Sequence, residues 1–213
     1  MSITNAAIKR SFVQRYRWPM LLATGILLIG ALAAWQYYDT RYPSWKEEVR
    51  LSDGRIITIH QKHEYYKNYG TNQSWVEIDL PELGGRKVWH SYLKPMRVDV
   101  FQGRAYVFGK PRGPRQITHY RYPENHMVAF IWTGSEFARI PFLQVPEAIR
   151  QDENVYSCVP VPKPKKLLLL TKEKTWCPAS GDKGQFVRQI NLKAYQELAV
   201  SFARLDGGKP LSD

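Results

Sequence analysis

Between Arg17 and Asp39 the chain runs WPMLLATGILLIGALAAWQYY, 21 residues without a charged side chain. As a helix rising ~1.5 Å per residue, such a run is about 30 Å long, the thickness of a bilayer's hydrocarbon core. Trp18 stands at one end and Trp35, Tyr37 and Tyr38 at the other, where amphipathic rings favour the headgroup boundary. Lys9, Arg10, Arg15 and Arg17 precede the run with no acidic residue among them, which by the positive-inside rule holds that end in the cytoplasm. The expected organisation is a cytoplasmic basic tail (1–17), a transmembrane helix (18–38) and an extracytoplasmic domain (39–213). A cleaved signal peptide is the competing reading, because Ala31, Leu32 and Ala33 fit a small-x-small cleavage pattern. Either way the remaining segment is exported. Lys9 and Arg10 stand where a twin-arginine signal has two arginines, so they read as ordinary positive-inside charge. Gly30 and Ala34 form a small-x-x-x-small pair that lets a neighbouring helix approach closely.

Beyond the span, apolar and polar residues alternate in short runs separated by turn dipeptides. WKEEV and RIITIHQ flank Asp53-Gly54; SWVEIDL and KVWHSYL flank Gly84-Gly85; MRVDVF and RAYVFG flank Gln102-Gly103; MVAFIW and EFARIPF flank Thr133-Gly134. Each is the pattern of a β-hairpin with one wet face. Four hairpins imply a mainly β exported domain, an antiparallel sandwich, a barrel-like sheet or a small propeller, rather than a parallel α/β core. One soluble helix is expected late, capped by Asn191, with Ala194, Tyr195, Leu198, Ala199 and Phe202 on one face and Gly207-Gly208 at its end. A shorter helical turn is expected near Pro146 to Arg150.

The two cysteines, Cys158 and Cys177, both fall on the exported side, where oxidising conditions favour a disulfide. Such a bond would tie the Pro- and Lys-rich VPVPKPKK segment and the LLLL run together, with a contribution of about 3 kcal/mol in the chain-entropy model. A metal site or a reactive thiol is the alternative, but two cysteines with no nearby histidine offer few ligands or helpers.

No strong catalytic signature is present. His60 and His63 sit at the end of an isoleucine-rich strand, where their odd spacing sends the rings to opposite faces. His90, His119 and His126 read as strand or loop surface. Glu47 and Glu48 are adjacent on a strand and also face opposite ways, so they do not form a carboxylate pair. Gly134, Ser135 and Glu136 lie in a turn, and no nucleophile elbow, phosphate loop or dinucleotide fingerprint occurs. Neither a cofactor nor a metal is expected.

The formal net charge is +12. Four of the 31 basic residues precede Trp18, leaving 27 against 19 acidic ones in the remainder. A surplus of that size favours anionic surfaces. It is most concentrated in GKPRGPRQITHYRY, residues 109 to 122, where Lys110, Arg112, Arg115 and Arg121 interleave with Gly, Pro, His and Tyr. Guanidinium groups donate in pairs to phosphate or carboxylate, and tyrosine stacks, so these four are the candidate anion-binding residues. A solvated hairpin loop is the plainer reading. Lys163, Lys165 and Lys166 form a second, Pro-flanked basic cluster. Nucleic acid is not an expected partner outside the cytoplasm.

The opening WKEEVRLSDGRI, with Trp45, Glu47, Glu48, Val49, Leu51, Asp53 and Gly54, resembles a group of uncharacterised proteobacterial membrane-anchored proteins with a W-x-E-E-V-x-L-x-D-G start to the exported domain. Pro123 and Asn125, the strand from Val128 to Gly134, and the Arg139-Ile140-Pro141 ending are similar to the same group, over residues 45 to 150. The resemblance implies a bacterial inner membrane with the domain in the periplasm, and carries no site. Together these readings lead to a non-catalytic periplasmic interaction domain, an accessory or scaffold part of an envelope complex, whose partners are membrane lipid and a membrane or periplasmic protein. The alternatives are a module binding an anionic envelope ligand (lipid headgroup, lipopolysaccharide or cell-wall polymer) through residues 109–122, and a hydrolase with an unrecognised site.

Overall fold

A computed structural model of the chain describes residues 4–66, 70–156, 158–160, 164–172 and 189–205. The chain divides after Arg41 into two units, residues 1–41 and 42–213. The first is one helix, α1 (Thr4–Arg41), 38 residues long with Pro19 inside it. Its segment Trp18–Arg41 is long and apolar enough to cross a membrane, and its side chains from Trp18 to Thr40 are almost all exposed. Helix extends three residues past the expected end at Tyr38, through Asp39, Thr40 and Arg41.

The second unit holds nine strands among its described residues, so the β character lies there while α1 supplies most of the helix. The strands are β1 (Ser44–Arg50), β2 (Ile56–Tyr66), β3 (Gly70–Leu80), β4 (Gly85–Ser91), β5 (Lys94–Phe101), β6 (Arg104–Lys110), β7 (Val128–Trp132), β8 (Phe137–Ile140) and β9 (Lys166–Leu167). Helices α2 (Pro114–His119), α3 (Leu169–Lys172) and α4 (Leu192–Leu205) fall between or after them. One sheet is ordered β4-β3-β2-β1-β9 and the other β5-β6-β7-β8. All four expected hairpins are present, as β1–β2, β3–β4, β5–β6 and β7–β8. The tightest is β5–β6, where Phe101 pairs with Arg104 and only Gln102 and Gly103 turn the chain, at φ of 51° and 75°. Both central residues of such a turn need positive φ, which glycine adopts without strain. One departure from the antiparallel expectation is β9, which runs parallel to β1.

Because side chains alternate along a strand, each sheet has two faces. Val49, Ile59, Val76, Ile78 and Trp89 of the first sheet meet Val98, Val107 and Val128 of the second in a shared core. The opposite face of the second sheet, with Tyr106, Phe108 and Ala129, is covered by Phe142, Val145, Ile149, Ile190, Leu192 and Tyr195. Phe142–Gln144 and Glu147–Ile149 are single 3-10 turns, the second being the short helical turn expected near Pro146. Among the described residues the result is a sandwich with a third layer on one side.

Asn191 caps α4 as expected, its side-chain oxygen accepting the Ala194 amide at 3.1 Å. The buried stripe differs from the expected one. Leu192, Tyr195, Ala199, Phe202 and Ala203 face the protein, whereas Ala194 and Leu198 face solvent. The rotation is set by His126, whose ring stacks on Phe202 (5.4 Å, 13°) and Tyr195 (6.4 Å, 21°). Gly207 and Gly208 lie outside the described residues.

At Gly109 the sheet leaves no room for a side chain. A Cβ there would sit 2.1 Å from the Lys94 carbonyl oxygen, a backbone atom that moves only with its strand. Gly109→Ala is expected to destabilise the protein by about 1–3 kcal/mol, the usual cost of forcing extra volume into a packed site. Thermal unfolding of the variant checks this, and an unchanged midpoint would show that the Lys94–Pro95 backbone yields freely.

Candidate functional site

The basic segment departs from a plain hairpin loop. Residues 114–119 form α2, with Pro114 at its first position. Gln116 anchors it. Its side-chain NH2 donates to the Asn72 carbonyl at 3.0 Å, and its side-chain oxygen accepts the Arg112 amide at 2.6 Å. Tyr120, just past the helix, is buried, and its hydroxyl bonds Ser91 and accepts the Tyr92 amide at 3.0 Å. Burial pushes the Tyr120 phenol up from its ordinary value. The segment is thus bolted to β3 by Gln116 and to the end of β4 by Tyr120.

Three of the four candidate residues point outward on this platform. Arg112, Arg115 and Arg121 are exposed, and among the described residues no carboxylate pairs with them. Lys110 is different. It pairs directly opposite Lys94 across the β5–β6 ladder, an arrangement that costs energy unless the charges are drawn apart. Its amine donates to the Tyr195 hydroxyl at 3.1 Å and lies 5.0 Å from that ring's centre. Lys110 therefore helps hold α4 and is not equivalent to the arginines. His126, expected at the surface, is also buried there, and burial with Lys110 nearby lowers its pKa to about 4.

Cys158 is buried in a small cluster with Tyr156 and Leu167. Cys177 and Lys163 lie outside the described residues. Of the second basic cluster, Lys165 is exposed, and Lys166 in β9 pairs with Glu48 at 2.7 Å.

The most elaborate polar constellation among the described residues matches no sequence motif and is centred on Glu47. Glu47, on the core-facing side of β1, is fully buried. It accepts from Lys172 at 2.9 Å, from the Gln61 side chain at 2.6 Å and from the Tyr156 amide at 3.1 Å. Lys172, at the end of α3, is equally buried and also donates to the Asn154 carbonyl at 3.0 Å. Gln61 passes the chain on, because its side-chain oxygen lies 2.9 Å from His63 Nε2. Since the Gln61 NH2 group is spent on Glu47 and on the Tyr156 carbonyl, Nε2 must carry the proton, and Nδ1 accepts from the Thr71 hydroxyl at 3.2 Å. Burial raises the Glu47 carboxyl and lowers the Lys172 amine, and their mutual attraction opposes both effects. His63 is pushed down to about 3, by burial first and by Lys94 and Arg112 second.

No family model, curated protein or solved structure matches this chain. Its chemistry must be read from its own geometry.

That geometry makes His63 a poor catalytic base. Both nitrogens are committed, the ring is sealed from solvent, and protonation is disfavoured. Ser74, opposite it on β3, has a buried hydroxyl with no hydrogen-bond partner among the described residues, so it is not engaged with the His63 ring. The network acts instead as a clasp that holds Asn154, Tyr156 and α3 to the edge of the first sheet. Asn154 extends the clasp to the second sheet, donating to the Arg50 and Val98 carbonyls at 2.8 and 2.7 Å and accepting the Val98 amide at 2.9 Å.

Proposed function

We propose that the chain is a single-span membrane protein whose exported β domain is a non-catalytic interaction module, an accessory or scaffold component of an envelope complex. The observation that carries this reading is an asymmetry of the sandwich. The second sheet's outer face is covered by α4 and the 3-10 turns, whereas no described element covers the outer face of the first. On that open face Trp75 stacks on His90 (4.7 Å, 5°), Lys62 lies 5.3 Å from the Trp75 ring centre, and Ile56 and Val88 are about half exposed at 50% and 47%. Aromatic rings beside cations on a rigid, partly apolar sheet are the composition of binding hot spots. A bacterial inner membrane and periplasm are supported by the W-x-E-E-V-x-L-x-D-G resemblance and by the charge before Trp18.

The test is extraction of tagged full-length protein from native membranes in mild detergent, with mass spectrometry of what co-purifies and of the chain's own intact mass. A stoichiometric partner is expected, and the Lys62→Ala/Trp75→Ala/His90→Ala variant should retain less than about a tenth of it, as expected when a hot-spot cluster is removed. Recovery of the protein alone, or trimmed after Ala33, overturns the anchored-scaffold reading. The three outward arginines favour a second reading, contact with an anionic ligand.

A further inference from the structure

We infer that Arg112, Arg115 and Arg121 form a docking surface for the anionic phosphate headgroups of the membrane that anchors the chain. The inference rests on the anchored reading above and deepens it.

Three arginines on one short bolted segment, unpaired with any described carboxylate, are a concentrated positive surface held in fixed geometry. Its place in the fold selects the ligand. The chain enters the sandwich at Ser44, which pairs with Lys62 in β2. Beyond Lys62 the β2–β3 hairpin continues through His63, Glu64 and Tyr65, which pair with Ser74, Gln73 and Thr71. It therefore overhangs the start of β1 by up to four residues, roughly 13 Å at strand rise. The overhang extends past the amino end of β1, and Gln116 fastens α2 to it at Thr71 and Asn72. Lys94 and Lys110, paired at the adjoining ends of β5 and β6, add positive charge at the same end.

Only Tyr42 and Pro43 separate Arg41, the last residue of α1, from Ser44. Three Cα–Cα steps of 3.8 Å allow at most about 11 Å between the helix end and the first strand. In a chain whose helix spans a bilayer, so short a link keeps the β domain close to the membrane, where an anionic leaflet attracts basic residues. Arginine forks suit phosphate oxygens, and each cation near an anionic leaflet adds to attachment. Anionic phospholipid is thus favoured over a soluble polyanion, because the two-residue link keeps the domain beside a lipid surface.

The full-length protein is placed in lipid nanodiscs of phosphatidylcholine or of phosphatidylglycerol, and amide hydrogen exchange is followed at residues 112–121. Exchange there should slow on the order of a hundredfold in the anionic discs, the sum expected for three basic residues. The slowing should vanish at high salt, and in R112E/R115E/R121E, while R112Q/R115Q/R121Q reduces it partly with the thermal midpoint unchanged. Equal exchange in both discs overturns the headgroup contact. Protection by inorganic polyphosphate added to phosphatidylcholine discs, without protection by phosphatidylglycerol, overturns it in favour of a soluble polyanion. Intact mass separates the two readings: a chain cleaved after Ala33 overturns the anchor itself, whereas an intact chain with equal exchange overturns the headgroup contact alone.

Discussion

Replacing Lys172 with methionine is expected to cost about 3–5 kcal/mol, because it strands the Glu47 carboxylate in the protein interior without its counter-charge. Both side chains are fully buried and 2.9 Å apart, so little solvent can move in to compensate. The measurement is urea unfolding of Lys172→Met, Glu47→Gln and the double variant at neutral pH. Removing the charge from both partners should be far milder than removing the lysine alone, since a neutral amide at position 47 can still accept the Tyr156 amide. A coupling of at least about 1.5 kcal/mol between the sites is expected for groups in one network. If Lys172→Met loses less than about 1 kcal/mol, below the cost of breaking a buried pair, α3 is not held by this ion pair.

Acidification should unfold the protein by a route that begins at His63. A histidine whose folded pKa lies below its unfolded value is neutral in the native state. Its contribution is complete above about pH 6.5 and is lost as the pH falls toward about 3, where the folded ring protonates. A depression of this size corresponds to about 4–5 kcal/mol over the whole window, of which about 2 are gone by pH 5. His126, lowered to about 4, acts in the same sense. Glu47 acts oppositely, since a raised carboxyl contributes stability at low pH and loses it as the pH rises. Comparison with His63→Gln isolates the histidine: the variant's stability should fall less steeply between pH 6.5 and 5, by up to about 1.4 kcal/mol per pH unit. Parallel slopes for the two proteins would show that His63 is not the group responsible.

The hairpins were legible because their turns are local chemistry. Gly54, Gly84, Gly103 and Gly134 all take positive φ, and each lies between alternating runs that need no distant partner to be recognised. The strand order and β9 were not legible. A two-residue strand has no periodicity, and its pairing depends on Lys166 and Leu167 reaching β1 through space. The Glu47 network left a signal that motif logic overlooked. Trp45, Glu47, Val49 and Leu51 share one face by alternation, as do Ile57, Ile59, Gln61 and His63, so three polar side chains were written onto the inward faces of two strands. What the sequence concealed was the partner, because a lysine in a TKEK run reads as solvated surface. The arginines of 109–122 were recognised as a group, but the demotion of Lys110 required knowing that Tyr195 packs beside it.

The clasp at Glu47 also dictates an order of events during synthesis. A chain emerging from its amino end presents β1 early, while the groups that cover its edge follow far behind: Tyr156 is 109 residues away from Glu47, and Leu169 is 121 from Glu48. Until they arrive, β1 offers an open strand edge flanked by an uncompensated acid, the kind of surface that recruits other strands. Contacts this distant also slow folding, since the loop must close before either sheet is sealed. The open edge of β1 is thus exposed for most of the chain's synthesis, and truncation before Lys172 should yield aggregated rather than merely shortened protein.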